Sequence, residues 1–484
     1  MMPATGIAHH LEVWAGIESS HLRVRERTVD QLRATGHASR LDDLDRLAEL
    51  GVTAVRYPVL WGWGTPGSET DWAWADTRVH GLIERGIRPI LGLLHHGFGP
   101  VGVDPLASDY PDRFARYSRL VAERYPGADF LPINEPLTTA RFAGIYGHWW
   151  PHRRDDPSFV RLLIQQCLAI RAATRVIREL RPGASVMVNE DTGVTQGTAA
   201  LQAAVDFDNE RRWLTWDLLE GRVNEHHPLW SYLRSVPEAA EGLATLASDP
   251  EPPDILGIDH YVTSDRYLDH RTELFPARYR GEGHGLYYAD VEAVRVDGAI
   301  VRPFSRAIEE VWGRYAKPVA LAEVQLAGVV ADRVAWWDEA MRVAHAARVD
   351  GVDLRAVTTW AAFGAQDWSS LLMEDAGEYE PGAFDVVGEV AVATPLAEAI
   401  RATSLGGGPT GAADGGWWRQ ASRFRYPAAP AQLATGAARH QHPGMRSGIP
   451  EPVPSGVRNA RGGRLGRIQL STRRRTHADR HGRP

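Results

Sequence analysis

Two glutamates at the ends of two short apolar runs carry the chemistry this chain could do. Glu135 follows Phe130, Leu131 and Ile133 and precedes Pro136, which has no N–H with which to continue a strand ladder. Glu323 closes a second apolar run, Val319 to Ala322, 188 residues further on. If both runs are strands of one closed barrel, the two carboxyls meet at the same mouth. Such a pair, about 5–5.5 Å apart, can cleave a glycosidic bond with retention, one group protonated to assist the leaving group and the other ionised to attack the anomeric carbon. Crowding raises the pKa of one carboxyl, so the pair itself supplies both the acid and the nucleophile. Taken alone, either run is equally a buried strand that ends in a surface acid.

The elements that would bring the two together can be followed in order. Strands are expected at 11–17, 52–60 and 88–95, then one delivering Glu135, then at 184–190, 254–261, 318–323 and 355–360. Helices are expected between them at 40–50, 75–85, 110–124, 157–181, 201–221, 304–315 and 332–348, with a last one at 394–402. Apolar strands alternating with helices eight times predict an α/β chain folded as a (β/α)8 TIM barrel, with its site at the C-terminal strand ends. A doubly wound sheet is the competitor, but no G-x-G-x-x-G follows the first strand and no G-x-x-x-x-G-K-[ST] occurs anywhere. Long connections at 140–156 and 262–300 would form the rim. The barrel is expected over 8–403. Residues 404–484, rich in Gly, Pro and Arg, lack apolar periodicity and are expected as a disordered tail.

Composition narrows the partners. Apolar residues make up 44% of the 484 and charged ones 24%, a globular balance, and no window approaches the roughly 18 apolar residues of a membrane span. The N-terminal residues show no basic-then-apolar leader, and the single Cys167 leaves no intramolecular disulfide, which together predict a cytoplasmic protein. The net charge of −7 hides an asymmetry, because eleven arginines face only Glu451 and Asp479 after residue 437. The acidic remainder argues against a nucleic-acid partner. The pairs His9-His10, His95-His96 and His226-His227 are sequence neighbours, which point to opposite faces in extended chain, so no metal is expected and no other cofactor is signalled. The 17 tryptophans could stack on sugar rings, although core packing accounts for most of them.

From about residue 8 to 402 the chain resembles glycoside hydrolase family 1, the β-glucosidase type of barrel. The resemblance lies in Arg56-Tyr57-Pro58-Val59-Leu60-Trp61, His95-His96, Asn134-Glu135-Pro136 with Tyr146-Gly147 and Trp150-Pro151, Gly257-Ile258-Asp259-His260-Tyr261, Ala322-Glu323-Val324-Gln325 and Trp360 through Trp368, in that order. It implies a retaining β-glycosidase acting on a small glycoside or oligosaccharide. Glu135 would be the acid/base, Glu323 the nucleophile, Asn134 the holder of the 2-hydroxyl, and Arg56 the cation that keeps Glu323 ionised. His95, His96, Asp259, His260, Tyr261, Trp360, Asp367 and Trp368 would line the sugar subsite. There are departures. The family's first-strand Gln has only Glu18, His21 or Arg23 to replace it, His96 stands for a Trp, Asp367 for a Glu, and Asp259-His260 alters an Asn-Tyr. Such changes leave the glycone open. The variant segments at 56–61, 95–97, 134–142 and 364–368 also resemble barrel modules fused to dTDP-4-dehydrorhamnose reductases, which suggests an alternative: a catalytically weak sugar-binding module detached from such a fusion, with 413–427 as a remnant of the connector.

Overall fold

The computed structural model describes residues 10–64 and 70–427. Eight parallel strands are laid down in chain order: β1 Glu12–Gly16, β2 Ala54–Pro58, β3 Arg88–His95, β4 Asp129–Asn134, β5 Met187–Asp191, β6 Ile255–Asp259, β7 Val319–Val324 and β8 Leu354–Thr359. Their order in the sheet is β4-β3-β2-β1-β8-β7-β6-β5, and a parallel bridge from Phe130 to Val186 joins the two outer strands. The result is the (β/α)8 barrel expected from the alternation.

Its interior is filled by Trp14, Ile90, Leu131 and Met187 against Ala54, Ala320, Ala322 and Ala356. Large residues on some strands face small ones on others, which plugs the barrel below the mouth. At the opposite end Arg88 bonds Glu12 at 2.8 Å and also Asp129, tying together the starts of three strands. The outer ring shows the same logic. In α1, Asp156–Leu180, Asp155 caps the first turn by accepting from Ser158 N–H at 2.7 Å, and Phe159, Leu163, Cys167, Ile170, Ala173 and Ile177 form one buried stripe.

Most expected elements fall within a few residues of their places. The helix expected over 201–221 is instead two, Gln202–Arg211 and Leu214–Leu219, because the second piece is buried on every side and the first is not. Rim segment 262–300 contributes strands Arg266–Asp269, Arg280–Gly283 and Leu286–Glu292 to a small sheet that also takes in Thr195–Gly197.

The chain also stays packed beyond Ser404, where a tail was expected to begin. Asp338, buried in α2 (Val330–Val349), accepts from Thr410 Oγ1 at 2.9 Å, Gly411 N–H at 3.1 Å and Ala413 N–H at 3.2 Å. Trp418 stands perpendicular to Trp336 at 4.9 Å, and Arg419 makes two bonds to buried Glu339 at 2.8 and 2.7 Å. Two buried acids of this helix are therefore the anchors of a strap at 405–427. The remainder of the expected tail, 428–484, lies outside the described residues. Trp418→Ala is expected to lower stability by about 3 kcal/mol, the usual cost of removing a buried indole, as a reduced midpoint in urea unfolding; an unchanged midpoint would show that the strap packs without stabilising the barrel.

Candidate active site

Three carboxyls meet at the C-terminal mouth. Oxygens of Glu135, Asp259 and Glu323 all lie within 4.8 Å of one another, and all three residues are buried. Each side chain is delivered by an irregularity at its strand end. β4 stops at Asn134, and Glu135 takes a left-handed backbone (φ 41°, ψ 65°) before Pro136 opens a short helix. β7 slips register against both neighbours after Leu321, so that Ala322 faces the barrel interior and Glu323 is still offered to the mouth. His96 and Asp367 also have positive φ, at 57° each. Non-glycine residues held there cost of order 1–3 kcal/mol each and gather where function constrains the chain.

The electrostatics turn on Arg56. Its Nη1 donates to Glu323 Oε1 at 3.0 Å and to the Ala322 carbonyl at 2.6 Å, and its Nη2 donates to Asn134 Oδ1 at 2.6 Å. Tyr261 donates a short hydrogen bond to the other oxygen of Glu323. Burial raises the pKa of both glutamates, and Glu135 is raised further, since Asp259 and Glu323 repel its charge whereas Arg56 and Tyr261 stabilise that of Glu323. Asp259 is also pushed well up, by burial and by Glu323. His96 approaches Glu135 to 3.6 Å, but burial beside Arg56 drives its pKa down to about 3. His95 is likewise pushed well below its usual value. Both rings are neutral, each 3.4 Å from the Asn134 amide nitrogen. The three carboxyls could in principle share a metal ion, but the guanidinium and the phenol already bond both oxygens of Glu323, which fits protons better than a divalent cation.

Aromatic walls complete the mouth. Trp360 lies over Arg56 at 4.3 Å and parallel to His95 at 5.4 Å. It reaches this place because residue 16 is glycine: a Cβ there would stand 2.2 Å from the indole. Trp368 packs edge-on against His96 at 5.5 Å, and Asp367 before it accepts from Glu378 N–H at 2.9 Å. The structure thus brings together Arg56, His95, His96, Asn134, Glu135, Asp259, Tyr261, Glu323, Trp360 and Trp368, with Asp367 adjoining. His260 is the exception: its ring packs against Phe304 at 5.5 Å, and it has no hydrogen bond to the others among the described residues. In extended chain its neighbours Asp259 and Tyr261 face the mouth, which leaves residue 260 on the outer side.

Three residues at the site, Asn189, Glu190 and Gln325, escaped the sequence reading, and a fourth place was left open among three. Of the three possible replacements at the end of β1, Glu18 is the one at the site, with Oε1 3.9 Å from His95 Nε2; His21 sits 3.9 Å from Asp30, and Arg23 stacks on Trp150. Asn189 donates to Asn134 at 2.7 Å and to Asp259 at 2.5 Å. Glu190 accepts from the Leu137 N–H at 2.6 Å and so fixes the turn after Glu135. Gln325 accepts from the Ala361 N–H behind Trp360. The polar triplet Asn189-Glu190-Asp191 at a strand end carried the same signal as Asn134-Glu135.

No family model and no curated protein matches the chain, but solved structures do. The family 1 β-glucosidase of Thermotoga maritima superposes with a TM-score of 0.65 at 18% identity, over 82% of this chain and 98% of that one. The Thermotoga maritima β-glucosidase in complex with deoxynojirimycin gives 0.66 at 17% identity, with the same coverage. The AHE enzyme of Alicyclobacillus herbarius gives 0.61 at 18%, over 77% and 86%. The fold is that of a family 1 β-glucosidase. At these identities the likeness is one of architecture, and the case for particular residues rests on their geometry. None of these three structures bears on a reductase partner.

Glu190 makes the cost of the site measurable. Burial raises its pKa from 4.5 to about 8, so the native state favours the protonated form. Its stabilising contribution is complete below about pH 4.5 and is lost as the pH rises towards 8. Glu190→Gln stays neutral, so its melting temperature relative to wild type should rise across that window; parallel pH profiles for the two proteins would refute the assignment.

Proposed function

We propose that the protein is a retaining β-glycosidase in which Glu323 is the nucleophile and Glu135 the acid/base. The observation that carries the reading is the spacing of the two carboxyls, with oxygens within 4.8 Å. That suits attack by one on a sugar carbon held between them, and leaves too little room for the intervening water of an inverting site. Of the two carboxyls, Arg56 and Tyr261 bond Glu323 and not Glu135, which supports the ionised role of Glu323; Glu135, with no cation, is suited to hold a proton.

The sequence of events follows from these placements. Glu323 attacks the anomeric carbon as the bond to the aglycone oxygen breaks, and Glu135 delivers its proton to that oxygen. Water then attacks the glycosyl-enzyme, giving its proton to Glu135 and releasing Glu323 as carboxylate. Asn134, fixed by Arg56 and Asn189, would hold the 2-hydroxyl, and Trp360 and Trp368 would wall the sugar ring. The alternative of a weak sugar-binding module is not favoured, since a module without catalysis has no need of a nucleophile bonded on both oxygens or a buried acid beside it. Whether a reductase partner exists is a separate proposal that this site does not bear on.

With aryl β-glycosides, Glu323→Gln is expected to lower kcat about 10³-fold or more. Activity untouched by that change would sink the assignment. In the pH profile of kcat/KM the acid limb should report ionisation of Glu323 and the alkaline limb deprotonation of Glu135. Glu135→Ala should abolish the alkaline limb and cost roughly 10²–10⁴-fold on glycosides with poor leaving groups, with a smaller loss on activated ones; an equal loss on both would contradict the acid role.

A further inference from the structure

The mouth holds more carboxyls than its one guanidinium can balance. Glu18, Glu135, Asp259, Glu323 and Asp367 gather there, each at most 6% exposed, and of these only Glu323 touches Arg56. Among the described residues no Lys or Arg nitrogen comes within 4 Å of the other four, and His95 and His96, the nearest rings, are neutral. Glu135 and Asp259 are explained by the proposed chemistry, as a proton-holding pair near the nucleophile. Glu18 is not.

Glu18 is 3% exposed, and its Oε1 is held by the Ser20 N–H at 2.9 Å and the Ser20 hydroxyl at 2.6 Å. These two donors aim the carboxyl without neutralising it. The charge that acts on it most is Glu323, which repels, and the Trp368 indole N–H faces it without closing a full hydrogen bond. Burial lifts its pKa to about 7. Buried carboxylates are normally paired, because desolvation of an uncompensated charge is costly. Here the partner must come from outside.

We infer that Glu18 is a specificity-determining residue that receives an ammonium group on the sugar ring, so that the substrate is a glycoside of an amino sugar. This rests on the glycosidase reading of the same site. The ring would lie against Trp360, which is itself backed by His95, and beside Trp368, with the amine on a carbon remote from the reacting one, since the 2-hydroxyl is assigned above to Asn134. The competing account is that Glu18 stays protonated and binds an ordinary hydroxyl.

The test compares kcat/KM of the full chain for 4-nitrophenyl β-glucoside, its 3-, 4- and 6-amino-deoxy analogues, and the N-acetyl form of each. At least one free amine should be preferred tenfold or more over both the parent and its own acetamide. Glu18→Gln should lower that ratio at least tenfold, and Glu18→Asp should keep part of it. The acetamide comparison needs only the wild type, so it stands even if the variants fold poorly. A parent glucoside turned over as well as every amine would overturn the inference and leave the glycosidase intact. If nothing is hydrolysed, calorimetric titration with the same amino sugars as methyl glycosides separates the two ideas. Amine-selective binding without turnover would overturn the glycosidase reading alone, and no amine-selective binding would overturn both.

Discussion

The Arg56 guanidinium is the interaction on which the mouth of the barrel depends. A buried cation among acids sets every neighbouring protonation state at once: it favours charge on Glu323, suppresses it on His95 and His96, and orients Asn134 through a bond to its carbonyl oxygen. Its own position is enforced on three sides, by the Ala322 carbonyl, by Asn134 and by the Trp360 face above it. Removing it would leave Glu323 buried and uncompensated, which is far costlier than never having buried the pair. The indole that covers it depends in turn on the missing side chain at Gly16. A catalytic charge, an aromatic wall and a backbone vacancy on β1 are thus one connected constraint.

The barrel supplies the rigidity that such a site requires. Below the mouth the interior is closed by Trp14, Ile90, Leu131 and Met187 packed on alanines, so the strand ends cannot relax inwards. Only against a fixed floor can left-handed turns at Glu135, His96 and Asp367 persist. Glu190 shows the same arrangement from beneath, since its carboxyl holds the amide of Leu137 and thereby the turn that follows Glu135. The residue that fixes the acid is itself an acid, buried and protonated, on the next strand.

The architecture was legible because it rests on short apolar runs and on 3.6-residue stripes, signals that sequence carries directly. The strand at 88–95 coincides with its expected bounds, and the glutamate pair was found because each ends such a run. What stayed hidden has physical reasons. The β7 register slip that re-aims Glu323 has no composition signature, and strict alternation would have turned that side chain outwards. Asn189 and Gln325 act through contacts across the mouth, between residues far apart in the chain. His260 was misplaced by reading a motif as a block, when alternation sends neighbouring side chains to opposite faces. The strap at 405–427 escaped because its anchors, Asp338 and Glu339, are polar residues buried in a helix.

The surplus of acid is the feature that links these observations. Helix and strand patterning places apolar atoms, and nothing in it demands five buried carboxyls around one guanidinium. Each unpaired acid weakens the fold at neutral pH, as the raised pKa values of Glu18 and Glu190 indicate. A structure can tolerate such groups where the barrel beneath is well packed. Glu190 has a structural use in its bond to Leu137, and Glu135 and Glu323 have a chemical one. Glu18 is bonded only to Ser20, two residues on, and a carboxyl aimed by two donors but offered no cation is complementary to something positively charged. Arg56 meets that need for Glu323 from within the protein; for Glu18 the matching charge falls to the ligand.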